Sequence, residues 1–310
     1  MAVPALAALT ATAAAGLFAA PAAHAADLPT ASQQTLTAAA DVTDGATVGV
    51  GMPVSLTFNQ PVIGQSAQRA VAAHITVEAD DDQQAVAHWF GSQRLDFRPR
   101  TYWKPGTTVT VHLGLDGVRA GAATGTTDQA ITFHIGRART SVVDVRSKTL
   151  RMFDGKSPIA EFPITAGGPD TPTHNGAMVI SEKDPQTRMD ATTVKLFDDD
   201  GTPAYDIPDV PHALRLTASG TFLHGNYWSA PNVFGARNTS HGCIGLKDVK
   251  GGSDPSTPAA WIYDHSMVGD VVVVRGAEGS PVAPDNGLGD WNMSWAAWTE
   301  GITGHEPSAG

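Results

Sequence analysis

The sequence predicts a mainly β protein built from two domains. The chain has 310 residues, which is more than a single hydrophobic core usually organises. Its hydrophobic fraction of 42% and charged fraction of 16% are those of an ordinary globular protein. Short segments that alternate apolar with polar residues recur along most of the chain, and one segment after them has a clear helical pattern.

The N-terminal 25 residues have the pattern of an export signal. Residues 1–25 contain no Asp, Glu, Lys or Arg, are rich in alanine, and end in the small-x-small triplet at 23–25 that signal peptidase recognises. Pro4 and Pro21 interrupt this segment, which makes it a poor bilayer span. We therefore expect a secreted protein with no stable membrane span in its mature form.

The next part of the chain is predicted to form a β-sandwich. Residues 26–40 are rich in Ala, Thr and Ser and are expected to be a flexible lead-in. Residues 41–137 hold short alternating segments separated by turn residues, a pattern typical of a sandwich of about 100 residues. The predicted strands are 54–58, 74–78, 85–89, 94–97, 108–112 and 130–134. Four histidines lie in these strand patterns and are interpreted as packed or solvent-facing residues rather than ligands: His74, His88, His112 and His134.

Residues 138–276 are predicted to form a second β-rich domain with one main helix. The predicted strands are 141–145, 149–153, 159–166, 177–180, 213–216 and 269–274. Asp154-Gly155 is a strong hairpin turn. The helix is predicted over 256–267, with Ser256 as its N-cap. Residues 181–211 are polar and rich in Gly and Pro, and a long insertion of this kind beside a β core is predicted to serve as a lid.

Residues 277–310 form a C-terminal extension that holds three of the seven tryptophans. A helical pattern places Trp291, Trp295 and Trp298 on one face. We expect this face to dock onto the surface of a domain, and a sugar-binding stripe is the alternative.

Charge and cysteine content narrow the classes of function. A formal net charge of −11 argues against a nucleic-acid-binding protein, which needs a basic face. Cys243 is the only cysteine, so no disulfide can form within the chain. Exported thiols are exposed to oxidation, so a single retained thiol suggests a function, although a small buried apolar residue is the alternative.

Residues suited to nucleophilic catalysis concentrate around Cys243. His224, Ser240 and His241 lie within 20 residues before it. A thiol is almost fully protonated at neutral pH unless an imidazole or a positive dipole is near, and an imidazole that takes its proton creates the nucleophile. Gly242 leaves room for a substrate carbonyl and permits a backbone that aims N–H groups at a developing oxyanion.

Spacing leaves two candidates for the base. His241 lies two residues from Cys243 and would share a face with it in an extended chain, although a glycine lies between them. His224 belongs to a separate strand-like segment and would meet the thiol in space. These three side chains are also zinc-ligand types, but a fourth ligand and the usual paired spacings are lacking, so neither a metal nor another cofactor is expected.

A specific signature spans these residues. His224, a gap of 15 residues and then Ser240-His241-Gly242-Cys243 resemble the signature of L,D-transpeptidases with a YkuD-type catalytic domain. Asn238 and Thr239 match as well. The order of export signal, immunoglobulin-like domain, catalytic domain and Trp-bearing extension is similar to that of the actinobacterial, mycobacterial-type enzymes. The resemblance implies that the sandwich is immunoglobulin-like and that the protein acts in the cell wall or periplasmic space.

The resemblance also implies a reaction. Cys243 would attack the carbonyl between the third residue and the terminal D-alanine of a peptidoglycan tetrapeptide stem. D-alanine would leave, and an amine of a second stem would resolve the thioester as a 3→3 cross-link. Alternatives are an L,D-carboxypeptidase, in which water resolves the same acyl-enzyme, and a non-catalytic wall-binding protein. Stem peptides are the implied partners, and carbapenems are the implied inhibitors.

Roles for individual residues follow from the same resemblance. It implies His224 as the base, His241 and Gly242 as residues that shape the turn, and the N–H groups of Gly242 and Cys243 as oxyanion donors. The implied substrate-binding positions are Tyr205, Ser219, Gly220, Trp228, Asn238, Thr239 and Gly245. Gly245 departs from the family pattern, which usually has Asn two residues after the cysteine. A hydrogen bond to the substrate or to the active-site loop is therefore missing or supplied by another group.

Overall fold

A computed structural model describes residues 34–303 of the chain. The described part is mainly β, with a sandwich followed by a second β-rich unit, so the predicted fold class is confirmed. The predicted export signal, 1–25, lies outside the described residues, as do 26–33 of the predicted lead-in and the last seven residues of the extension. Within 34–303, no helix is both long and apolar enough to cross a bilayer.

Eleven strands and one short helix make up the first unit. The strands are β1 Gln34–Leu36, β2 Ala38–Ala40, β3 Thr47–Val48, β4 Val54–Phe58, β5 Ile75–Ala79, β6 Val86–Phe90, β7 Arg94–Arg98, β8 Thr108–Gly114, β9 Arg119–Ala120, β10 Ala123–Gly125 and β11 Asp128–Ile135. The helix α1, Gln65–Ala72, was not predicted. Two four-stranded sheets, ordered β2-β4-β7-β6 and β3-β11-β8-β5, face each other, and β1, β10 and β9 form a small third sheet.

Alternation along the strands builds the core of this sandwich. In β8, Val109, Val111 and Leu113 are fully buried, whereas the residues between them reach the surface. Side chains from both sheets, such as Phe58 and Phe133, meet in this core. Successive residues of a strand point to opposite faces, so one face of each sheet is apolar and the other is wet.

The prediction of a flexible lead-in is wrong for residues 34–40. This segment forms β1 and β2, and β2 pairs with β4 in antiparallel register. Leu36 and Ala38 are buried in the sandwich core. The alanine-rich sequence hides this strand because its polar and apolar residues do not alternate clearly, and pairing with β4 supplies the stabilisation that propensity does not.

Nine further strands form one sheet in the second unit. They are β12 Arg139–Asp144, β13 Thr149–Asp154, β14 Ser157–Thr165, β15 Gly176–Val179, β16 Glu182–Asp190, β17 Asp206–Arg215, β18 Phe222–Asn226, β19 Ile244–Lys247 and β20 Val271–Arg275. Their order is β15-β20-β12-β13-β14-β19-β18-β17-β16. A hairpin joins β13 and β14 at the predicted place, but its two turn residues are Gly155 and Lys156, and Asp154 is the last residue of β13, paired with Ser157. Strand β20 is buried, with neighbours on both sides.

The predicted lid folds as a long β-hairpin rather than as an irregular insertion. Strands β16 and β17 pair from Glu182 opposite Arg215 to Asp190 opposite Asp206, so the hairpin begins in the predicted lid at 181–211 and ends in the strand predicted at 213–216. We call residues 182–215 the flap. The sequence does not reveal these strands because most residues on both faces of β16 are polar and at least partly exposed. Polar and apolar residues therefore do not alternate along it.

The main helix of the second unit is α2, Pro258–His265, which is shorter than predicted. Its N-cap is Thr257, whose hydroxyl accepts the N–H of Ala260, and not Ser256. Ser256 instead donates its N–H and its hydroxyl to the carboxylate of Asp254, in a turn that precedes the helix. Ala259 and Ile262 on the inner face of α2 pack into the core beneath the sheet.

The C-terminal extension docks onto the sandwich, as predicted, but not through one helix face. The helix α3, Trp295–Thr303, begins four residues after Trp291, which lies in a separate 3-10 turn. Trp298 is fully buried, and its indole Nε1 donates to the backbone oxygen of Val86 at 2.8 Å. Trp291 Nε1 donates to the backbone oxygen of Gly51 at 2.7 Å.

Candidate active site

One pocket collects residues from the flap, from β18 and from the loop before β19. It is lined by Met189, Tyr205, Ile207, His224, Asn226, Trp228, Ser229, Thr239, Ser240, His241 and Cys243. Eight of these residues lie between 224 and 243, and the flap supplies the other three. The pocket is therefore closed on one side by the flap and on the other by the segment that carries the only thiol.

Two neighbouring strands bring His224 and Cys243 together. Strands β18 and β19 are parallel, and their register places His224 opposite Gly245 and Leu223 opposite Ile244. Cys243 comes directly before β19, so its side chain lies on the same face of the sheet as position 245 and His224. The Cys243 thiol donates a hydrogen bond to the backbone oxygen of Gly220 at 3.5 Å.

The imidazole of His224 has a defined tautomer. Its Nδ1 lies 2.9 Å from the backbone oxygen of Gly225, which can only accept, so Nδ1 carries the hydrogen and Nε2 is left as the basic nitrogen. The residue is 4% exposed. Burial lowers the pKa of His224, and this effect outweighs the Gly225 carbonyl and the charge of Asp248, which both raise it.

Burial acts on the thiol in the opposite direction. It raises the pKa of Cys243 to about 11, against the backbone N–H of Phe222 and the charge of Arg215, which lower it. Between the two pKa values both groups are neutral, so the resting pair is a thiol beside an unprotonated imidazole rather than a thiolate beside an imidazolium. A pair of this kind needs proton transfer at the moment of attack.

Trp228 fixes the other side of the histidine ring. The two rings stack with centroids 5.6 Å apart and planes 14° from parallel. Trp228 itself is 43% exposed and forms part of the pocket wall. Tyr227 meets it edge-on with a centroid distance of 5.0 Å, which limits the tilt of the indole.

Hydrogen bonds within the segment 240–243 shape the turn that presents the thiol. The Ser240 hydroxyl donates to the backbone oxygen of Cys243 at 2.5 Å and accepts the N–H of Gly242 at 3.2 Å. Gly242 has a φ of +112°, a conformation that residues with a Cβ rarely adopt. Ser240 therefore acts on the geometry of the turn, and glycine at 242 is required by the backbone conformation.

Asn238 and Thr239 attach this segment to neighbouring parts of the sheet. The Asn238 amide accepts from the N–H of Ala166 at 3.1 Å and donates to the backbone oxygen of Val145 at 3.1 Å. The Thr239 N–H donates to the hydroxyl of Thr165 at 3.2 Å. Thr239 also lines the pocket, whereas Asn238 is turned toward the scaffold.

His241 and Tyr205 meet at the rim of the pocket. His241 is exposed, and its ring lies 5.3 Å from the ring of Tyr205 on the flap. Its exposed position contrasts with the burial of His224. Of the two candidate bases, the buried His224 therefore has the fixed tautomer, and His241 is a rim residue that contacts the flap.

The remaining predicted positions fall in three places. Gly220 supplies the oxygen that accepts the thiol hydrogen bond. Ser219 lies outside the pocket lining and is bound by Asn286 of the extension, whose amide accepts the Ser219 N–H at 2.9 Å and donates to its hydroxyl at 2.8 Å. Gly245 is buried directly beside Asn226.

Four pocket residues were not predicted: Met189, Ile207, Asn226 and Ser229. Asn226 could have been found from its position two residues after His224 in the same strand, because alternate residues of a strand share a face. Met189 and Ile207 come from the flap, whose strands the sequence pattern did not reveal. Within residues 34–303, no group of three or more His, Cys, Asp or Glu side chains is arranged to hold a metal ion.

Comparison with known proteins places this arrangement in a family. Residues 138–274 match the YkuD family, described as the L,D-transpeptidase catalytic domain, and residues 9–119 match a bacterial Ig domain. L,D-transpeptidase 2 of Mycobacterium tuberculosis is 31% identical over 268 residues, which cover 83% of this chain and 60% of that protein. The chain thus spans less than two thirds of the length of this relative.

Other relatives agree with this assignment. L,D-transpeptidase 1 of Mycobacterium tuberculosis is 30% identical over 235 residues, covering 75% of this chain and 82% of that protein. An LD transpeptidase solved in complex with imipenem superposes with a TM-score of 0.63 at 28% identity, over 78% of this chain and 99% of that one. An L,D-transpeptidase from Mycobacterium smegmatis gives a TM-score of 0.58 at 26% identity, with the same coverage. The chain belongs to the L,D-transpeptidase family, with a YkuD-type catalytic domain that follows a bacterial Ig domain.

Proposed function

We propose that this chain is a peptidoglycan L,D-transpeptidase that forms 3→3 cross-links through a thioester on Cys243. One observation carries the proposal: the single thiol, directly before β19, and the buried imidazole of His224, in the neighbouring strand β18, line the same pocket. The family assignment supports the class of reaction. The proposed place of action is the cell wall, reached by export of the chain.

The first half of the reaction forms the acyl-enzyme. His224 Nε2 takes the thiol proton while Sγ attacks the carbonyl carbon between the third stem residue and the terminal D-alanine. The Gly242 N–H already donates to Ser240, so the N–H of Cys243 is the proposed donor to the oxyanion. Collapse of the tetrahedral intermediate passes the proton from His224 to the leaving nitrogen, and D-alanine departs.

The second half transfers the acyl group. An amine of a second stem attacks the thioester carbon, and His224 Nε2 accepts the proton that this amine loses. Collapse expels the sulfur, which regains a proton from His224, and the product is a 3→3 cross-linked dimer. A relative is known in complex with imipenem, so we also propose that carbapenems acylate Cys243.

We also propose boundaries for the domains. Residues 41–137 are proposed as the immunoglobulin-like spacer, 138–276 as the catalytic domain and 277–310 as the extension. The strands at 34–40 extend the spacer toward the N-terminus.

Incubation with purified tetrapeptide stems, followed by mass spectrometry, tests the proposal. The wild type is expected to release D-alanine and to yield cross-linked dimer, whereas Cys243→Ala and His224→Ala are expected to lose roughly a thousandfold or more of this activity. Free tripeptide in place of dimer would identify water as the acceptor and assign an L,D-carboxypeptidase. Absence of D-alanine release from the wild type would contradict both enzymatic functions.

A further inference from the structure

Asn226 is a buried polar residue whose amide group is only half satisfied. It is 4% exposed and lines the pocket together with His224 and Cys243. Its Oδ1 accepts the N–H of Ser229 at 2.9 Å, which fixes the orientation of the amide because a backbone N–H requires an acceptor. The Nδ2 group then points away from Ser229. Among residues 34–303 no side chain or backbone group accepts from it, and it is not one of the side-chain atoms in this range that are both buried and unpaired, so it is open to the pocket.

The register of the sheet directs Nδ2 toward Gly245. Asn226 and His224 lie on the same face of β18, and His224 is paired with Gly245 of β19. A Cβ at Gly245 would lie 3.1 Å from Asn226 Nδ2, 3.1 Å from Thr165 Cγ2 and 3.3 Å from Asn226 Cβ. The φ of Gly245 is not in the positive region, so the space taken by Asn226 and Thr165, rather than the backbone, favours glycine here.

An amide N–H that faces the pocket loses its water when a ligand covers it, and this costs free energy unless the ligand supplies an acceptor. The pocket that Asn226 lines is the site of the proposed reaction, and a peptide stem carries carbonyl oxygens along its backbone. The space between β18 and β19 has room for one amide side chain. Asn226 of β18 fills it, and glycine at position 245 of β19 places no side chain there.

We propose that Asn226 is a substrate-binding residue whose Nδ2 donates a hydrogen bond to a backbone carbonyl oxygen of the donor stem, at a place opened by glycine at position 245. This inference rests on the proposed function of the pocket. It assigns to β18 the polar contact that an Asn after the cysteine would otherwise provide from β19.

The test compares two reactions of the same thiol in the full chain. Acylation by a tetrapeptide stem needs the Asn226 contact, whereas alkylation by iodoacetamide does not. In Asn226→Ala, we expect kcat/KM for D-alanine release to fall about 10- to 100-fold, mainly through KM, while the alkylation rate of Cys243 stays within about twofold of wild type. Asn232→Ala, at an exposed position of the loop that follows β18, is the matched control and is expected to react as wild type does.

A second variant separates substrate binding from a structural role. In Asn226→Ala/Gly245→Asn, β19 supplies an amide group to the space that the Asn226 amide occupied. We expect kcat/KM to recover by roughly tenfold relative to Asn226→Ala. A structural role of Asn226 as acceptor for Ser229 predicts no recovery, because position 245 does not replace that acceptor. Thermal unfolding of each variant is measured alongside.

Several results would overturn the inference. Unchanged stem kinetics in Asn226→Ala would do so, as would an equal fall in stem acylation and iodoacetamide alkylation. A double variant that unfolds at the wild-type temperature and recovers no activity would also contradict it. If the double variant is less stable, the two rates of Asn226→Ala decide alone. Absence of D-alanine release from the wild type would count instead against the proposed function.

Discussion

The hydrogen bond from His224 Nδ1 to the Gly225 carbonyl decides how the thiol can be activated. It leaves Nε2 as the only basic nitrogen of the ring. Burial lowers the pKa of His224 and raises that of Cys243 to about 11, so the pair is neutral at physiological pH. Activation therefore depends on proton transfer during attack, and the free enzyme holds very little thiolate.

A neutral pair predicts how the rates of Cys243 alkylation and of stem acylation depend on pH. A thiol with a pKa of about 11 gains thiolate as the pH rises, so alkylation of Cys243 by iodoacetamide is expected to accelerate roughly tenfold per unit between pH 6 and pH 9. Stem acylation uses neutral His224 as base, so its rate is expected to rise only up to the lowered pKa of His224 and then to level off.

Intact-mass kinetics of the two reactions across this pH range check the expectation. His224→Ala is the control, because it removes the base and leaves the thiol. Its alkylation is expected to keep the same slope with pH. An alkylation rate that levels off near pH 7 in the wild type would point to a preformed thiolate-imidazolium pair and would contradict the neutral one.

The resemblance to the L,D-transpeptidase signature predicts Cys243 and His224 as the reactive pair, but the sequence does not reveal the contacts around them. The segment Ser240 to Cys243 is local, so its motif was readable from the sequence. Asn226 gains its role from two non-local facts, the parallel pairing of β18 with β19 and the glycine at position 245. Ser240, similarly, forms hydrogen bonds within its own turn, in which Gly242 has a φ of +112°.

The flap is the element that completes the pocket. Strands β16 and β17 deliver Met189, Tyr205 and Ile207 to its wall, and Met189 packs with a small cluster that includes Phe222. At its base, Lys183 Nζ donates to the backbone oxygens of Tyr263 and Ser266, at 2.6 and 2.9 Å, beside the C-terminal end of α2. The base is thus fixed to the scaffold, and the pocket-facing residues lie toward the tip.

Substitutions at Tyr205 test whether the flap binds substrate. Its ring contacts His241 at the rim, and no described residue forms a hydrogen bond with its hydroxyl, so the ring rather than the hydroxyl builds the wall. We expect Tyr205→Phe to keep stem acylation within about twofold of wild type and Tyr205→Ala to lower kcat/KM about tenfold, since about 1.4 kcal/mol of apolar contact corresponds to one decade.

Steady-state release of D-alanine by both variants gives this comparison. Tyr205→Phe is the matched control, because it removes the hydroxyl and keeps the ring. Equal losses in the two variants would assign the effect to the hydroxyl, and unchanged kinetics in Tyr205→Ala would remove the flap from substrate binding.

Element boundaries show where prediction from sequence ends. Strands with clean alternation, such as 54–58 and 108–112, were predicted at or near their observed positions. The flap was not, because the burial along β16 is nearly all partial or exposed. The helix start was displaced by one residue because Ser256 and Thr257 are both good caps, and Asp254 takes Ser256 into the preceding turn.

At the scale of the whole molecule, the C-terminal extension connects the sandwich with the catalytic sheet. Asn292 pairs with Ala177 at the edge of that sheet, accepting its N–H at 2.8 Å and donating to its carbonyl at 2.7 Å. On the other side, Trp298 covers β6, which is the edge strand of its sheet. An edge strand with free backbone groups promotes aggregation, so the extension both joins the two units and protects an edge.

Arg98 lies at the centre of this contact. Its guanidinium carbon lies 4.3 Å from the Trp298 ring and 4.8 Å from the Trp291 ring, and Nη2 donates to the backbone oxygen of Met293 at 2.9 Å. Burial lowers the pKa of Arg98, and the indole faces and the carbonyl stabilise the guanidinium charge. Trp298 is therefore a structural anchor with the cation stacked against it.

Removal of this anchor is expected to affect stability and not the thiol. Trp298→Ala leaves a cavity the size of a fully buried indole and exposes Arg98, which is expected to cost about 3–5 kcal/mol of unfolding free energy. Thermal unfolding followed by circular dichroism measures the loss, and the rate of Cys243 alkylation at 20 °C or below is expected to match wild type.

Trp228→Ala is the matched control: that ring is 43% exposed and stacks on His224, so its removal is expected to impair stem acylation while the unfolding temperature changes little. If Trp298→Ala unfolds at the wild-type temperature, the extension does not hold the two units together, and its tryptophans would be available for binding a ligand instead.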